Sequence, residues 1–391
     1  MWSAGEVEPR RSTPGGTPVP HRRPTGPARA AALLAAVLLP AATACTGLSP
    51  GPAVNPGATG AVRVSATVAQ DLDTPWGIAL LPGGDLLAGS RDTGRIARIA
   101  TADGAKTDLG AVPGVAAGGE GGLLGLALSP AYATDQLVYA YLTTATDNRV
   151  VRLRYDPSGP AGGQLGPPQA ILTGIPKGTY HDGGRIAFGP DGMLYAGAGD
   201  SGQGGAIAQD TGSLGGKILR MTPDGAPAPG NPFPGSVVYS YGHRNVQGLT
   251  WDPQGRLWAS EFGQNTWDEL NLIRPGGNYG WPLVEGTGNR EGFVDPVVTW
   301  HTDVASPSGI AYADGAIWMA ALRGTRLWRI PLSGTTTAAP PQEFLNGTYG
   351  RLRTVLTDGD GTLLLSTSNT DGRGDVRPGD DRVLRLRVQA P

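Results

Sequence analysis

Four short segments carry most of the residues that could do chemistry. They are Gly119-Glu120-Gly121-Gly122, Tyr180-His181-Asp182-Gly183-Gly184-Arg185, Tyr241-Gly242-His243-Arg244-Asn245 and Gly350-Arg351-Leu352-Arg353, with Arg323 apart from them in Ala320-Ala321-Leu322-Arg323-Gly324. A guanidinium is a rigid donor fork that pairs bidentately with carboxylates and phosphates, so convergent arginines imply an anion bearing several such groups. A neutral imidazole in the same pocket can accept a proton. Of the chain's four histidines His21 lies near the N-terminus, which leaves His181 among three candidates for a base. The glycine pair after it lets backbone approach a ligand closely. A single arginine at a strand end is usually a solvated charge, and a histidine before a hairpin is often no more than a loop residue. Four arginines at coordinated positions argue for a shared ligand. No nucleophile elbow, P-loop or dinucleotide fingerprint is present. Hydride or proton abstraction beside an anionic cofactor uses the most of these residues.

A second set runs from Ser260 to Pro282, where Asp268, Glu269 and Asn271 supply side-chain oxygens and the turns around Gly263 and Gly276 free backbone carbonyls. Hard cations such as calcium take this kind of ligand. Acidic residues beside glycine also make ordinary solvated turns.

These residues need a frame that brings distant segments together, and one unit recurs six times: an apolar strand, a turn of Pro, Asp and Gly, then a second β-prone strand. The copies begin at Ile78, Leu126, Ile186, Leu249, Ile310 and Val355, at spacings of 48, 60, 63, 61 and 45 residues. That period fits the blades of a β-propeller, in which each four-stranded sheet buries its faces only against its neighbours. The expected fold is all-β, a six-bladed propeller of four-stranded antiparallel blades. Arg95-Ile96-Ala97-Arg98-Ile99 and Arg326-Leu327-Trp328-Arg329-Ile330 read as outer strands. The runs Val62 to Val68 and Arg382 to Val388 are the natural pair to share one blade and close the ring. Two stacked β-sandwiches would leave the period unexplained. The polar segments share a phase just ahead of each repeat, so a propeller gathers them at one end of its channel.

Composition agrees with a turn-rich globular chain of 391 residues holding 63 Gly and 35 Pro. The formal charge is -2, and about -5 without the basic first 44 residues, so no nucleic-acid surface is indicated. Residues 1–44 read as a secretory signal: Arg22, Arg23 and Arg29 precede the apolar run Ala30 to Ala42, too short to span a membrane. Cys45, the single cysteine, follows small residues as in a lipoprotein signal, and it excludes both an intramolecular disulfide and a cysteine zinc site. Residues 45–60 read as a flexible tether and 61–391 as the propeller. The expected location is outside the cell, lipid-anchored at the outer face of its membrane.

The chain resembles the quinoprotein glucose/sorbosone dehydrogenases over roughly Leu72 to Val388, through His181 with Gly183-Gly184-Arg185, Tyr241-Gly-His-Arg-Asn-Val-Gln-Gly248, and Trp267-Asp-Glu-Leu-Asn with Asn278-Tyr-Gly-Trp-Pro282. Its short loops look more like the periplasmic aldose sugar dehydrogenases than the larger soluble glucose enzymes. The resemblance implies oxidation of aldose sugars at the anomeric carbon to lactones, with hydride passing to pyrroloquinoline quinone and electrons then to an external acceptor. It makes His181 the general base. Glu120, Arg244 and Asn245 would contact the quinone, and Arg323, Arg351 and Arg353 would hold its carboxylates. The carbonyls of Gly263 and Gln264 would hold a calcium ion against the cofactor, and Glu269 with the Tyr279 carbonyl a second, structural one. Glu120 stands where the family commonly has Gln, Tyr180 where the soluble glucose enzymes have Asp, Arg323 where Lys is common, and Gln264 where Pro is frequent. Two other classes compete: a calcium-dependent propeller hydrolase of the lactonase kind, and a cofactor-free binding propeller.

Overall fold

The structure, a computed structural model, describes residues 61–160, 162–359 and 361–389. The expected signal at 1–44, Cys45 and the tether lie outside the described residues. Six antiparallel sheets follow one another along the chain, and every repeat read from the sequence is the inner hairpin of one of them. The inner and second strands are Pro75–Leu80 and Leu86–Ser90 in blade one, Leu123–Leu128 and Leu137–Thr143 in blade two, and Ile186–Phe188 and Leu194–Ala198 in blade three. Val246–Trp251 and Leu257–Glu261 serve blade four, Pro307–Ala313 and Ala316–Ala321 blade five, and Leu352–Thr357 and Thr362–Thr367 blade six. Turn chemistry sets these hairpins: Asp314 and Gly315 both take positive φ, as a two-residue turn matched to the strand twist requires.

The ring closes as expected. Ala61–Ala69 pairs with Val383–Gln389 and becomes the outermost strand of blade six. Arg95–Ile99 and Arg326–Ser333 are the third strands of blades one and five, and blade five adds Thr336–Thr337 and Gln342–Phe344 at its outer side. Among the described residues the only helices are Tyr132–Asp135 and Ala206–Gln209, and no helix is long and apolar enough to cross a membrane.

The apolar core is divided into six clusters, one at each junction between neighbouring blades. Trp318 and Leu327 of blade five, for example, meet Leu352, Val355 and Leu363 of blade six. Fully burying a side chain of this size contributes about 1.5–3 kcal/mol, and the blades have no other way to hide these faces.

The inner strands come close enough that backbone meets backbone. A Cβ added to Gly248 would lie 2.4 Å from the Ser308 carbonyl, and one added to Gly125 would lie 2.3 Å from that of Gly184. Glycine holds this phase in four blades, as Gly77, Gly125, Gly248 and Gly309. In the other two it is held by Arg185 and Thr354, which hydrogen-bond each other across the channel at 3.1 Å. Arg185 also donates to the Gln247 carbonyl at 2.8 Å and lies 4.4 Å over the Trp76 ring. It closes the channel beneath the candidate site.

Candidate active site

His181 lies in the segment leading into the inner strand of blade three, with φ at +62°. Left-handed backbone costs a non-glycine residue of order 1–3 kcal/mol, and the surrounding packing enforces it. A Cβ at Gly199 would sit 1.9 Å from the His181 carbonyl, and one at Gly183 would sit 2.4 Å from that of Gly197, so neither glycine can carry a side chain. The imidazole Nδ1 is 2.7 Å from Asp200 Oδ1. The other Asp200 oxygen accepts the Trp281 indole N–H at 2.7 Å, and Gly202 N–H adds a third bond at 2.8 Å. Burial opposes ionisation of Asp200, but the imidazole and these donors outweigh it and hold the carboxyl below its ordinary value. An ionised carboxylate on Nδ1 fixes the tautomer with Nδ1–H donating, which leaves the Nε2 lone pair as the proton acceptor. Glu120 Oε2 accepts the His181 backbone N–H at 2.9 Å, and the half-exposed Tyr180 ring stands edge-on at 4.7 Å.

Beside this dyad a cavity of about 420 Å³ opens at the channel mouth, lined by Glu120, Arg323, Arg351 and Arg353 from the expected set and by Trp76, Arg91, Gln247, Asp371 and Arg373. The volume suits a small-molecule cofactor. Asp371 Oδ2 organises the arginines, accepting from Arg351 Nε at 2.9 Å and Nη2 at 2.8 Å, and from Arg353 Nη2 at 3.3 Å. Arg353 donates as well to Gln247 Oε1 at 3.0 Å. Burial pushes its guanidinium down to about 10, against the pull of Asp371. Arg323 is exposed at the rim and has no hydrogen-bond partner among the described residues.

The remaining expected residues gather next to it. Arg244 donates Nε and Nη2 to Gln264 Oε1 at 3.0 and 2.7 Å, lies 5.4 Å over the Trp281 ring, and gives its backbone N–H to Glu261. Asn245 Oδ1 accepts the Gly183 N–H at 3.0 Å, while its Nδ2 is buried without a partner. Gly263, Glu269 and Tyr279 line a second cavity of only about 10 Å³ together with Glu261 and Glu285, room for one ion or water. Burial first, and Glu261 second, push Glu269 well above the usual carboxylate range. Asn271 donates to Glu269 Oε2 at 3.0 Å, and its own Oδ1 is buried with no donor. The carbonyls of Gly263, Gln264 and Tyr279 accept no hydrogen bond from the described residues. Glu285 Oε1 takes the N–H groups of Gln264, Asn265, Thr266 and Trp267, which fixes the loop carrying the first two. Among the described residues no three His, Cys, Asp or Glu side chains converge as a metal cluster, so a cation here would draw on carbonyl and amide oxygens.

The expected residues thus form two adjoining groups. His181 does not line the large cavity and is joined to it through Glu120, whereas Arg244 lines the small one. The sequence alone assigns no role to Asp200, Glu261, Asp371 or Trp281, although Trp281 lies in a motif that carries the resemblance and Glu261 in the oxygen-rich segment. Asp200 and Asp371 follow the second strand of their blades, as Arg91 and Arg323 do, and Glu261 ends it; that shared phase is the signal that points to them. A Ser240–His243–Glu261 chain, with contacts of 2.8 and 2.7 Å, is closed to solvent, so it orients Glu261 and offers no nucleophile to a substrate.

A family model described as Glucose / Sorbosone dehydrogenase matches residues 72–377. A solved structure of the PQQ-bound form of an aldose sugar dehydrogenase from Streptomyces coelicolor is 66% identical, covers 85% of this chain and 100% of its own, and superposes with a TM-score of 0.84. An aldose sugar dehydrogenase of Escherichia coli is 28% identical over 79% of this chain and 91% of its own length. Quinoprotein glucose dehydrogenase B of Acinetobacter calcoaceticus is 32% identical over 58% of this chain and 54% of its own.

Proposed function

The chain belongs to the glucose/sorbosone dehydrogenase family, and from that premise we propose that it oxidises aldoses at the anomeric carbon to lactones, using pyrroloquinoline quinone and calcium. The observation that carries this reading is the imidazole whose Nδ1 is committed to Asp200, on a residue that Glu120 joins through its backbone N–H to an arginine-lined cavity. When bound, the quinone supplies the acceptor for the hydride leaving the anomeric carbon, and calcium the Lewis acid that polarises it. His181 Nε2 takes the proton of the anomeric hydroxyl. Asp200 stabilises the imidazolium that results, and Trp281 and Gly202 keep that carboxylate in place. Arg323, Arg351 and Arg353 supply the positive potential that binds an anionic cofactor and favours charge building up on it.

The residues fit these groups. The unpartnered Asn245 Nδ2 and the uncommitted Arg323 are donors for an anion, and the unpartnered Asn271 Oδ1, the three carbonyls and the neighbouring Glu261 and Glu269 are acceptors for a cation. A hydrolase using a metal-bound water in the large cavity is disfavoured, because Glu120 and Asp371, the acids on its wall, are both tied to arginines. The test is to load the purified chain with pyrroloquinoline quinone and calcium and record the quinone absorption while adding an aldose. Reduction supports the proposal; no spectral change with any aldose removes it. We also propose that the mature chain begins at a lipidated Cys45 and passes electrons to an external acceptor. Mass spectrometry showing an unmodified N-terminus downstream of Cys45 would refute the anchor.

A further inference from the structure

Glu120 places a carboxylate on the wall of a cavity whose proposed occupant is itself polyanionic, and like charges sharing a site oppose one another. Its two oxygens have separate duties. Oε2 accepts the His181 backbone N–H at 2.9 Å, while Oε1 lies 3.1 Å from Nη1 of Arg373. Glu120 comes from the segment leading into blade two and Arg373 from the loop after the second strand of blade six, so the pair reaches past blade one, and both residues line the cavity. The neighbouring arginines have acids of their own: Arg91 pairs with Asp92, and Arg351 and Arg353 with Asp371. Arg373 differs from them. Its side chain is 61% exposed against 17% for Glu120, and among the described residues its one other hydrogen bond is made by its backbone N–H, to Asp371 Oδ1 at 3.0 Å.

We propose that Arg373 sets cofactor affinity by neutralising Glu120, so that an anionic quinone can share the cavity with that carboxylate. The inference rests on the functional reading above and adds a residue outside the set the family resemblance supplies. An exposed ion pair contributes little to folding, so losing Arg373 should leave the propeller intact. The cofactor would nevertheless meet an unopposed negative charge across a cavity screened less than bulk water. An amide at position 120 can still accept the His181 N–H while carrying no charge, and it should make Arg373 dispensable. A purely structural pairing would not show that dependence of one substitution on the other.

The experiment titrates pyrroloquinoline quinone, followed by fluorescence quenching in the presence of calcium, into the wild type, Arg373→Gln, Glu120→Gln and the double variant, with Arg373→Lys as a charge-keeping control. Arg373→Gln should bind roughly tenfold more weakly, by a factor that shrinks as salt is added. Glu120→Gln should bind at least as tightly as wild type, the double variant should fall within about twofold of Glu120→Gln, and Arg373→Lys should stay close to wild type. Wild-type affinity in Arg373→Gln, or a double variant as weak as Arg373→Gln alone, overturns the inference and leaves the functional reading standing. A wild-type chain that takes up no quinone overturns both. Matching thermal unfolding of Arg373→Gln and Arg373→Lys assigns any loss of affinity to charge.

Discussion

Asp200 holds His181 by one oxygen, Oδ1 at 2.7 Å from Nδ1, and holds Trp281 by the other, also at 2.7 Å. Because Trp281 also lies under the Arg244 guanidinium, the carboxylate that holds the His181 ring is linked through one indole to the arginine of the adjoining small cavity.

The first prediction concerns that pair. Asp200→Asn should lower kcat by about 10² to 10⁴, as should His181→Ala, because each removes a correctly oriented base. Quinone affinity should be unchanged in both. Steady-state aldose oxidation at saturating quinone measures the rate, and quinone titration the affinity. Wild-type rates in His181→Ala would take the residue out of the mechanism.

Arg351→Ala and Arg353→Ala should behave in the opposite way. Each deprives a desolvated anion of a partner, at about 2–5 kcal/mol of cofactor binding, and each leaves Asp371 less compensated. Raising the cofactor to saturation should restore much of their rate, which it cannot do for the histidine variant. A loss of rate that persists at saturation would place these arginines in the chemical step.

Metal removal should destabilise the chain. A ligand that binds the native state alone at a hundredfold excess over its dissociation constant stabilises by about 2.7 kcal/mol. EGTA should therefore lower Tm, calcium should restore it, and Glu269→Gln or Asn271→Ala should abolish the response. A Tm unmoved by chelator would count against the small cavity as a cation site.

Lys217 predicts a dependence on pH. Its Nζ is buried and donates to the carbonyls of Ile207, Ala208 and Gly215, at 2.7, 3.0 and 2.7 Å, and burial pushes its pKa down from 10.5 to about 8. The unfolded chain then binds the proton more tightly than the native one between those values, so native stability rises with pH across that window. The gain from pH 8 to 10 should be about 2 kcal/mol. Above pH 10 the buried Tyr141, Tyr195 and Tyr279, pushed up chiefly by burial, oppose it, because the unfolded chain loses those protons first. Urea unfolding at pH 8, 9 and 10 should show this slope in the wild type and a flatter one in Lys217→Met; equal slopes would be the contrary result.

The propeller was legible because a hairpin is a local object: Ile186 to Tyr195 shows its strand, turn and strand within ten residues. His181 was legible because its Gly183-Gly184 neighbours mark a close approach. Asp200 was not, although it is nineteen residues away, because a Gly-Asp pair after a strand also reads as an ordinary turn and only the fold of the loop turns it toward the ring. Asp371 is illegible for a similar reason, since its meaning depends on two arginines at the start of its own hairpin. Trp281 reaches Asp200 from another blade, a contact with no local pattern. Gln264, read only for its carbonyl, is seen in the structure to grip Arg244 with its side chain as well.

The closing strand has a kinetic consequence. Blade six needs both Ala61–Ala69 and Val383–Gln389, so it is the one sheet that cannot assemble until nearly the whole described chain is available. Joining segments so far apart in sequence makes the last stage of folding slow relative to the hairpins, which form early. Asp381, just ahead of the closing strand, also accepts the N–H groups of Asn369 and Thr370, and Asn369 Oδ1 in turn takes that of Arg351 at 2.8 Å. Arg351, proposed to hold the cofactor, is therefore set by the same late event that shuts the ring. An incompletely folded chain would have no partly competent site, and quinone uptake would report ring closure in a refolding experiment.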